Sequence, residues 1–149
     1  MHKSGSMDWI TDTIAIGNYL DAENLELRLS NNILSMICLN GKLRGVSARD
    51  LQLDALEVYD LKDGPGNNPE IFCRAVRSVG HLSRKHPRLL VQCHAGRSRS
   101  VIVVAGHLMI AHGWTSAEAL SYVGARREMA LTAGLEAILA SPVFRAMKK

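Results

Sequence analysis

The chain has 149 residues and a formal net charge of +4, with 47% hydrophobic and 21% charged residues. This length fits one domain, and the composition is that of a soluble globular protein without biased or repetitive tracts. The basic excess favours anionic partners, but only seven aromatic residues are present and no basic stripe is interleaved with them, so an obligate nucleic-acid partner is not expected.

Residues 1–7 lack an apolar signal core and are expected to be disordered or derived from a cloning tag. From residue 10 to 16 the apolar positions alternate, which predicts a short hairpin or edge strand. A short helix follows over 21–30. The continuous apolar run at 33–39 predicts a buried strand. Another short helix over 47–53 and a second strand over 56–61 complete this half of the chain.

A turn-rich segment over 63–68 leads into the next helix. Asn68 is suited to cap that helix and Pro69 to occupy its first position, so we expect a helix from Pro69 to about residue 85. The short apolar run over 88–92 predicts a third strand.

The remainder of the chain is predicted to be helical. Residues 99–112 are apolar almost all round, which indicates a buried helix. Thr115 and Glu118 form a capping box that starts a helix running to about residue 127. A last helical segment over 132–148 is broken near Pro142. Strands alternating with helices predict one α/β domain over residues 8–149, with a central, largely parallel sheet flanked by helices.

The residues that carry chemistry lie at positions 93–100, Cys-His-Ala-Gly-Arg-Ser-Arg-Ser, between a buried strand and a buried helix. A loop that wraps into a helix N-terminus presents backbone N–H groups to an anion, and the helix dipole adds partial positive charge. Gly96 allows the backbone to bend close to a phosphate. Arg99 can donate two hydrogen bonds to phosphate oxygens, and this positive field favours the thiolate of Cys93, a nucleophile.

This pattern, C-x-x-G-x-x-R-S, resembles the signature of the cysteine-dependent protein tyrosine phosphatases. The fuller form C-x-A-G-x-S-R-S resembles the small atypical dual-specificity branch, over roughly residues 8–140. The resemblance implies that Cys93 forms a phosphocysteine intermediate, that Arg99 stabilises the phosphoryl oxygens and that Ser100 hydrogen-bonds the cysteine sulfur. It also implies that the loop residues bind the substrate phosphate: His94, Ala95, Gly96, Arg97, Ser98 and Arg99.

The family places a general acid about thirty positions before the cysteine, on a loop after a strand. Asp63 fits this position, and Asp60, three residues earlier, is the competitor. A turn aspartate before glycine is also a common structural feature. His94 and Arg97 are expected to point outward, either towards anionic substrates or simply into solvent. The pair Arg126-Arg127 could lie near the site or be an exposed helix end.

Two positions depart from the family pattern. Gln92 occupies the place just before the nucleophile where relatives usually carry histidine, although glutamine can still donate to a nearby backbone carbonyl. Residues 129–132, Met-Ala-Leu-Thr, replace the proline–asparagine or glutamine element of many relatives, which puts water positioning by a side chain in doubt.

The expected activity is hydrolysis of phosphotyrosine, and of phosphoserine or phosphothreonine, in a protein or peptide substrate. A phosphoinositide or an RNA 5′-phosphate is the alternative substrate, and a non-catalytic phosphate-binding module or a sulfurtransferase of rhodanese type is the alternative class. We expect no cofactor and no metal ion, because the histidines and the three cysteines show no metal-ligand spacing.

The cysteines, Cys38, Cys73 and Cys93, are expected to be free thiols in a cytoplasmic, monomeric protein, unless oxidised Cys93 pairs with another. The longest apolar run, residues 101–111, is too short to span a bilayer.

Overall fold

A computed structural model describes residues 7–148 of the chain, without the side chain of Lys148. The expected disordered or tag-derived segment therefore lies outside the described residues, apart from Met7. Met7 is partly buried and packs against the smaller of two apolar clusters.

One five-stranded sheet organises the fold, in the spatial order β1-β2-β5-β3-β4. Only β1 is antiparallel to its neighbour, so the sheet is largely parallel, as the sequence predicts. The strands are β1 (Asp8–Trp9), β2 (Ile14–Gly17), β3 (Ser35–Cys38), β4 (Ala55–Val58) and β5 (Leu89–Gln92). The predicted hairpin or edge strand over 10–16 covers the turn and most of β2, whereas β1 lies before it; β2 is an interior strand, because β1 forms the edge. The last residues of three adjacent parallel strands, Gly17, Gln92 and Cys38, are in register at one edge.

Six helices surround the sheet in the described part of the chain. They are α1 (Tyr19–Glu23), α2 (Leu25–Ser30), α3 (Pro69–Lys85), α4 (Arg99–His112), α5 (Ser116–Gly124) and α6 (Pro142–Lys148). The predicted caps of α3 and α5 are formed: the side chain of Asn68 accepts from Glu70 N, and the Thr115 capping box is complete.

Three helix predictions need correction. The single helix expected over 21–30 is two helices, because Asn24 ends α1 and its side chain caps α2 through Leu27 N at 3.0 Å. Residues 47–53 contain only a 3-10 turn at Arg49–Leu51, which ends where Gln52 takes a left-handed conformation. The segment after residue 132 is a 3-10 turn at Glu136–Ala140 followed by α6.

Apolar side chains cover both faces of the sheet. Leu89, Val91 and Cys93 face the larger cluster, built with α3 and α4, whereas Leu90 faces the smaller cluster on the α1 side. This alternation follows from the two-residue period of a strand. Cys93 and Gln92 therefore leave β5 towards opposite faces of the sheet. Across residues 7–148, each helix is too short or too polar to pass through a lipid bilayer.

Candidate active site

The loop over residues 93–98 joins the end of β5 to the start of α4 at the carboxyl edge of the parallel strands. Gly96 lies at its centre with φ of 69°, a left-handed conformation that favours glycine. A Cβ atom at this position would lie 2.5 Å from the carbonyl oxygen of Gly17 and 2.6 Å from Nη2 of Arg127. Glycine is thus required both by the backbone angle and by the close packing of β2 and Arg127.

Hydrogen bonds to the carbonyl oxygens of the loop fix its conformation. Besides the first hydrogen bond of α4, from Ile102 N to Ser98 O, three donors outside the loop bind its carbonyl groups. They are Tyr19 N to His94 O at 3.1 Å, Arg127 Nε to Gly96 O at 2.5 Å, and Ala130 N to Arg97 O at 3.0 Å. Within residues 7–148, no backbone N–H of residues 94–98 donates to a protein group. The loop therefore keeps a set of N–H donors for an anion, at a helix N-terminus whose dipole adds positive charge.

The thiol of Cys93 lies at the base of the loop. Its Sγ is 3.0 Å from Oγ of Ser100, and both residues are buried. Arg99, the first residue of α4, donates from Nη1 to the carbonyl of Leu61 at 3.1 Å. Its Nε is buried and has no hydrogen-bond partner among the described residues. An unpaired buried donor next to the loop is suited to an oxygen of a bound oxyanion.

Arg127 supports the loop from below. It is 6% exposed and donates to the Gly96 carbonyl, to Ile16 O at 3.1 Å and to Oδ2 of Asp8 at 3.0 Å. Burial lowers the pKa of Arg127, while the charges of Asp8, Asp21 and Cys93 raise it.

The two arginines of the predicted basic pair therefore have different environments. Arg126 is exposed, and its guanidinium lies 3.4 Å from the centre of the Tyr122 ring. The sequence left open whether the pair lies near the site. The structure places Arg127 under the loop and Arg126 on the surface.

The two candidate acids occupy distinct positions on the segment after β4. Asp63 is exposed in a bend that begins two residues after the Leu61 carbonyl bound by Arg99. Asn67 closes this bend through hydrogen bonds with the backbone of Lys62. Asp60 is also exposed, but its carboxylate lies 3.6 Å from the guanidinium of Arg44.

The other loop residues are divided between the surface and the interior. His94 and Arg97 point outward, as predicted, and Ala95 is also exposed. The His94 ring stacks on Tyr19 with centroids 4.6 Å apart, and Arg97 lies 3.5 Å from the carboxylate of Glu128. Ser98 is buried, and its hydroxyl accepts from Thr132 N at 3.0 Å.

The two departures from the family pattern have different structural outcomes. Gln92 is 1% exposed and its Oε1 has no partner among the described residues. Within residues 7–148 its side chain does not use its capacity to donate to a backbone carbonyl. The segment at 129–132, in contrast, binds the loop through the backbone N–H groups of Ala130 and Thr132. It thus positions the loop without a proline or an amide side chain.

Sequence reasoning missed Asp8 and Tyr19. Asp8 lies 119 residues from its ion-pair partner Arg127, and Tyr19 lies on the short helix α1 after β2. Neither residue belongs to a recognisable motif. The parallel pairing of β2 with β5, which brings both to the loop, is a long-range property of the sheet.

The structure also shows the state of the three cysteines and of the potential metal ligands. Cys38, Cys73 and Cys93 are all buried free thiols, and burial raises the pKa of Cys73. Within residues 7–148, no three side chains of histidine, cysteine, aspartate or glutamate lie close enough together to hold a metal ion.

Comparison with known proteins gives consistent results. The chain is 30% identical over 121 residues to dual specificity protein phosphatase 1 of Arabidopsis thaliana, covering 81% of this chain and 60% of that protein. The chain thus spans about 60% of the length of this relative. Among solved structures, the human tyrosine phosphatase-like serine/threonine/tyrosine-interacting protein has a TM-score of 0.78 at 24% identity, covering 95% of this chain and 96% of that one. PTPMT1 in complex with PI(5)P has a TM-score of 0.76 at 18% identity, with coverage of 95% and 96%.

These structural similarities show a common fold. A family model described as the catalytic domain of dual specificity phosphatases matches residues 45–139, which include the entire loop and both candidate acids. The chain belongs to the dual specificity phosphatase catalytic domain family.

Proposed function

We propose that this chain hydrolyses phosphomonoesters through a phosphocysteine intermediate on Cys93, with phosphotyrosine and also phosphoserine or phosphothreonine in proteins as substrates. The observation that carries this proposal is the position of Cys93 Sγ, 3.0 Å from Ser100 Oγ at the base of a loop with free N–H donors. The unpaired Nε of Arg99 supports the same conclusion, because it supplies a charged donor for the phosphoryl oxygens.

In the first step the Cys93 thiolate attacks phosphorus, forming an S–P bond as the P–O bond to the leaving group breaks. The loop N–H groups and Arg99 stabilise the charge on the equatorial oxygens. Protonated Asp63 transfers its proton to the leaving oxygen. Arg127 holds the Gly96 carbonyl, and with it the curvature of the loop, throughout this step.

In the second step Asp63, now a carboxylate, removes a proton from water, and the water oxygen attacks phosphorus. The S–P bond breaks, and its electron pair returns to Cys93 as the thiolate. The Ser100 hydroxyl donates a hydrogen bond to the developing negative charge on sulfur, which facilitates its departure.

Asp63 is favoured over Asp60 as the acid by its surroundings. The Asp63 bend follows Leu61, whose carbonyl accepts a hydrogen bond from Arg99. When Arg99 moves onto a phosphate, this hydrogen bond changes, and the position of the bend that carries Asp63 changes with it. Asp60 instead lies with its carboxylate 3.6 Å from the guanidinium of Arg44, so it already has a partner outside the phosphate loop.

Two alternatives have specific support. A phosphoinositide substrate is one alternative, because the solved structure of PTPMT1 contains PI(5)P and exposed Arg97 would suit a polyanionic headgroup. The loop of this chain has no lysine as a further cation for such a headgroup, which favours protein substrates. A non-catalytic phosphate-binding module is supported by Gln92, which replaces the histidine usual in relatives and makes no hydrogen bond with its side chain in the described part of the chain.

The test is hydrolysis of para-nitrophenyl phosphate in EDTA, at roughly pH 5 to 8, by the wild type, Cys93→Ser and Gln92→His. We expect activity in the wild type that persists in EDTA and is abolished in Cys93→Ser. A folded wild type that binds a phosphotyrosine peptide without turnover would refute the proposal in favour of the binding module. In that case Gln92→His is the first variant to examine for restored turnover.

A further inference from the structure

A groove of about 390 Å³ lies between α3, α4 and α6. Three basic side chains of α3 form its rim: Arg77, His81 and Arg84. Its floor and far wall are largely apolar and come from Val76, Gly80, His107, Ile110, Ala111 and Met147. The α4 residues of the groove are 8 to 12 positions beyond Arg99, about 12–18 Å along the helix from the phosphate loop.

The rim belongs to a basic stripe on the exposed face of α3. Arg74, Arg77, His81 and Arg84 are spaced by three, four and three residues, so they lie on one side of the helix, and all four are exposed. Within residues 7–148, no carboxylate lies within 4.0 Å of the three arginines. Exposed Arg44 and Arg97, in contrast, each have an acidic partner.

Helix stability does not account for this stripe. Basic residues in the last turn of a helix interact favourably with its dipole, which suits Arg84 and Lys85. Arg74 and Arg77 lie in the first and middle parts of α3, where the dipole gives no such benefit. Like charges three or four positions apart destabilise a helix by about 0.2–0.5 kcal/mol per pair. Only Arg74 and Arg77 form such a pair, and Glu70, four residues before Arg74, offsets its effect. Helix stability thus gives no reason for the stripe, and binding of an anion supplies one.

The floor of the groove is open because Gly80 has no side chain. A Cβ atom there would lie 3.2 Å from Arg84 Nη1 and 3.5 Å from the His107 ring, so the Arg84 guanidinium lies across this glycine beside the imidazole. Burial, together with the charges of Arg84 and His112, lowers the pKa of His107 to about 4. His107 is therefore neutral at pH 7, and the groove has a cationic rim above a neutral, mostly apolar floor.

We propose that this groove docks an acidic segment of a protein substrate, in which carboxylates flank an apolar side chain. The carboxylates pair with Arg77 and Arg84, which are two helical turns or about 10 Å apart, and the apolar side chain packs on Ile110 and Met147. The identification of the partner as the substrate rests on the proposed phosphatase function. Because the groove is remote from Cys93, docking lowers KM for such substrates without changing kcat.

The experiment measures binding directly, by fluorescence anisotropy of a labelled peptide in which two glutamates lie on each side of a leucine. The control peptide carries glutamine in place of each glutamate. The test variant is the double change Arg77→Glu and Arg84→Glu in the full chain. The matched control is Arg44→Glu with Arg49→Glu, which changes the net charge equally on two exposed residues of the β3–β4 connection. Far-UV circular dichroism and the thermal unfolding midpoint, which do not depend on turnover, report that each variant is folded.

We expect the glutamate peptide to bind the wild type and the matched control alike, and to bind the test variant at least about tenfold more weakly. Equal binding of both peptides, or equal binding by the test variant and the wild type, would overturn the proposal. So would binding of an oligonucleotide at this groove without binding of the peptide. Anisotropy does not depend on turnover, so peptide binding by a chain that hydrolyses nothing would refute only the proposed catalytic function.

Discussion

Replacement of Gly96 by alanine tests the packing of the phosphate loop, and Gly113 provides an internal control. Both glycines have φ of 69°, so alanine incurs the same left-handed penalty at either position, about 1–2 kcal/mol. Alanine also lowers the conformational entropy of the unfolded chain, which stabilises the folded state by about 0.4–1 kcal/mol at both positions. The positions differ in their surroundings: a Cβ at Gly113 has no atom within 4 Å, whereas one at Gly96 would lie 2.5 Å from Gly17 O.

The difference between the two variants therefore measures the contact alone. Gly113→Ala should lower the free energy of unfolding by about 1 kcal/mol and leave activity unchanged. Gly96→Ala should lose a further 1–3 kcal/mol, the usual cost of forcing a group into a packed region. Displacement of the loop should also reduce kcat/KM by about 100-fold or more, because the phosphate donors move away from the Cys93 thiolate.

Urea unfolding and hydrolysis of para-nitrophenyl phosphate, measured on both variants, provide the test. Wild-type activity in Gly96→Ala, combined with a stability equal to that of Gly113→Ala, would refute the account of the loop given above.

Three further predictions follow from the site and its surroundings. Arg127→Met should lower the free energy of unfolding by about 2–3 kcal/mol and remove most of the activity, because the carbonyls of Gly96 and Ile16 lose a charged donor, whereas half-exposed Asp8 is solvated by water. Exposed Arg126→Met is the control, and equal stability of the two variants would contradict the supporting role of Arg127. Asp63→Asn should lower kcat on a phosphotyrosine peptide by about 100-fold or more, whereas a larger effect of Asp60→Asn would reverse the assignment. Burial lowers the pKa of His107 in the folded chain to about 4, so a change from pH 7 to 4.5 protonates this residue in the unfolded chain first. His107 should therefore reduce the free energy of unfolding by about 2–3 kcal/mol over this pH range. In His107→Asn that part of the pH-dependent loss of stability should vanish, and a loss identical to that of the wild type would contradict the burial argument.

Local sequence signals predicted most of the fold. Asn68 and Pro69 set the start of α3, and the Thr115 capping box set the start of α5, because caps act within one helical turn. Predictions were wrong where a local alternative was overlooked: Asn24 is both the end of one helix and the cap of the next.

The nucleophile loop could be located from sequence because its chemistry is compressed into eight consecutive residues. The residues that support this loop could not be located in the same way. Arg127 is held by Gly96, Ile16 and Asp8, which lie 31, 111 and 119 residues away along the chain. Sequence patterns report periodicity within an element, whereas these contacts depend on how β1 and β2 pair beside β5.

The most direct test of the central claim is to look for phosphate on Cys93 itself. Wild-type protein mixed with a phosphotyrosine peptide, quenched in acid within the first turnover and digested, should yield the peptide containing Cys93 with one phosphoryl group attached to sulfur. The same treatment of Cys93→Ser should show neither this modification nor turnover. Full turnover by the wild type with phosphate absent from Cys93, or trapped on another residue, would contradict the cysteine mechanism.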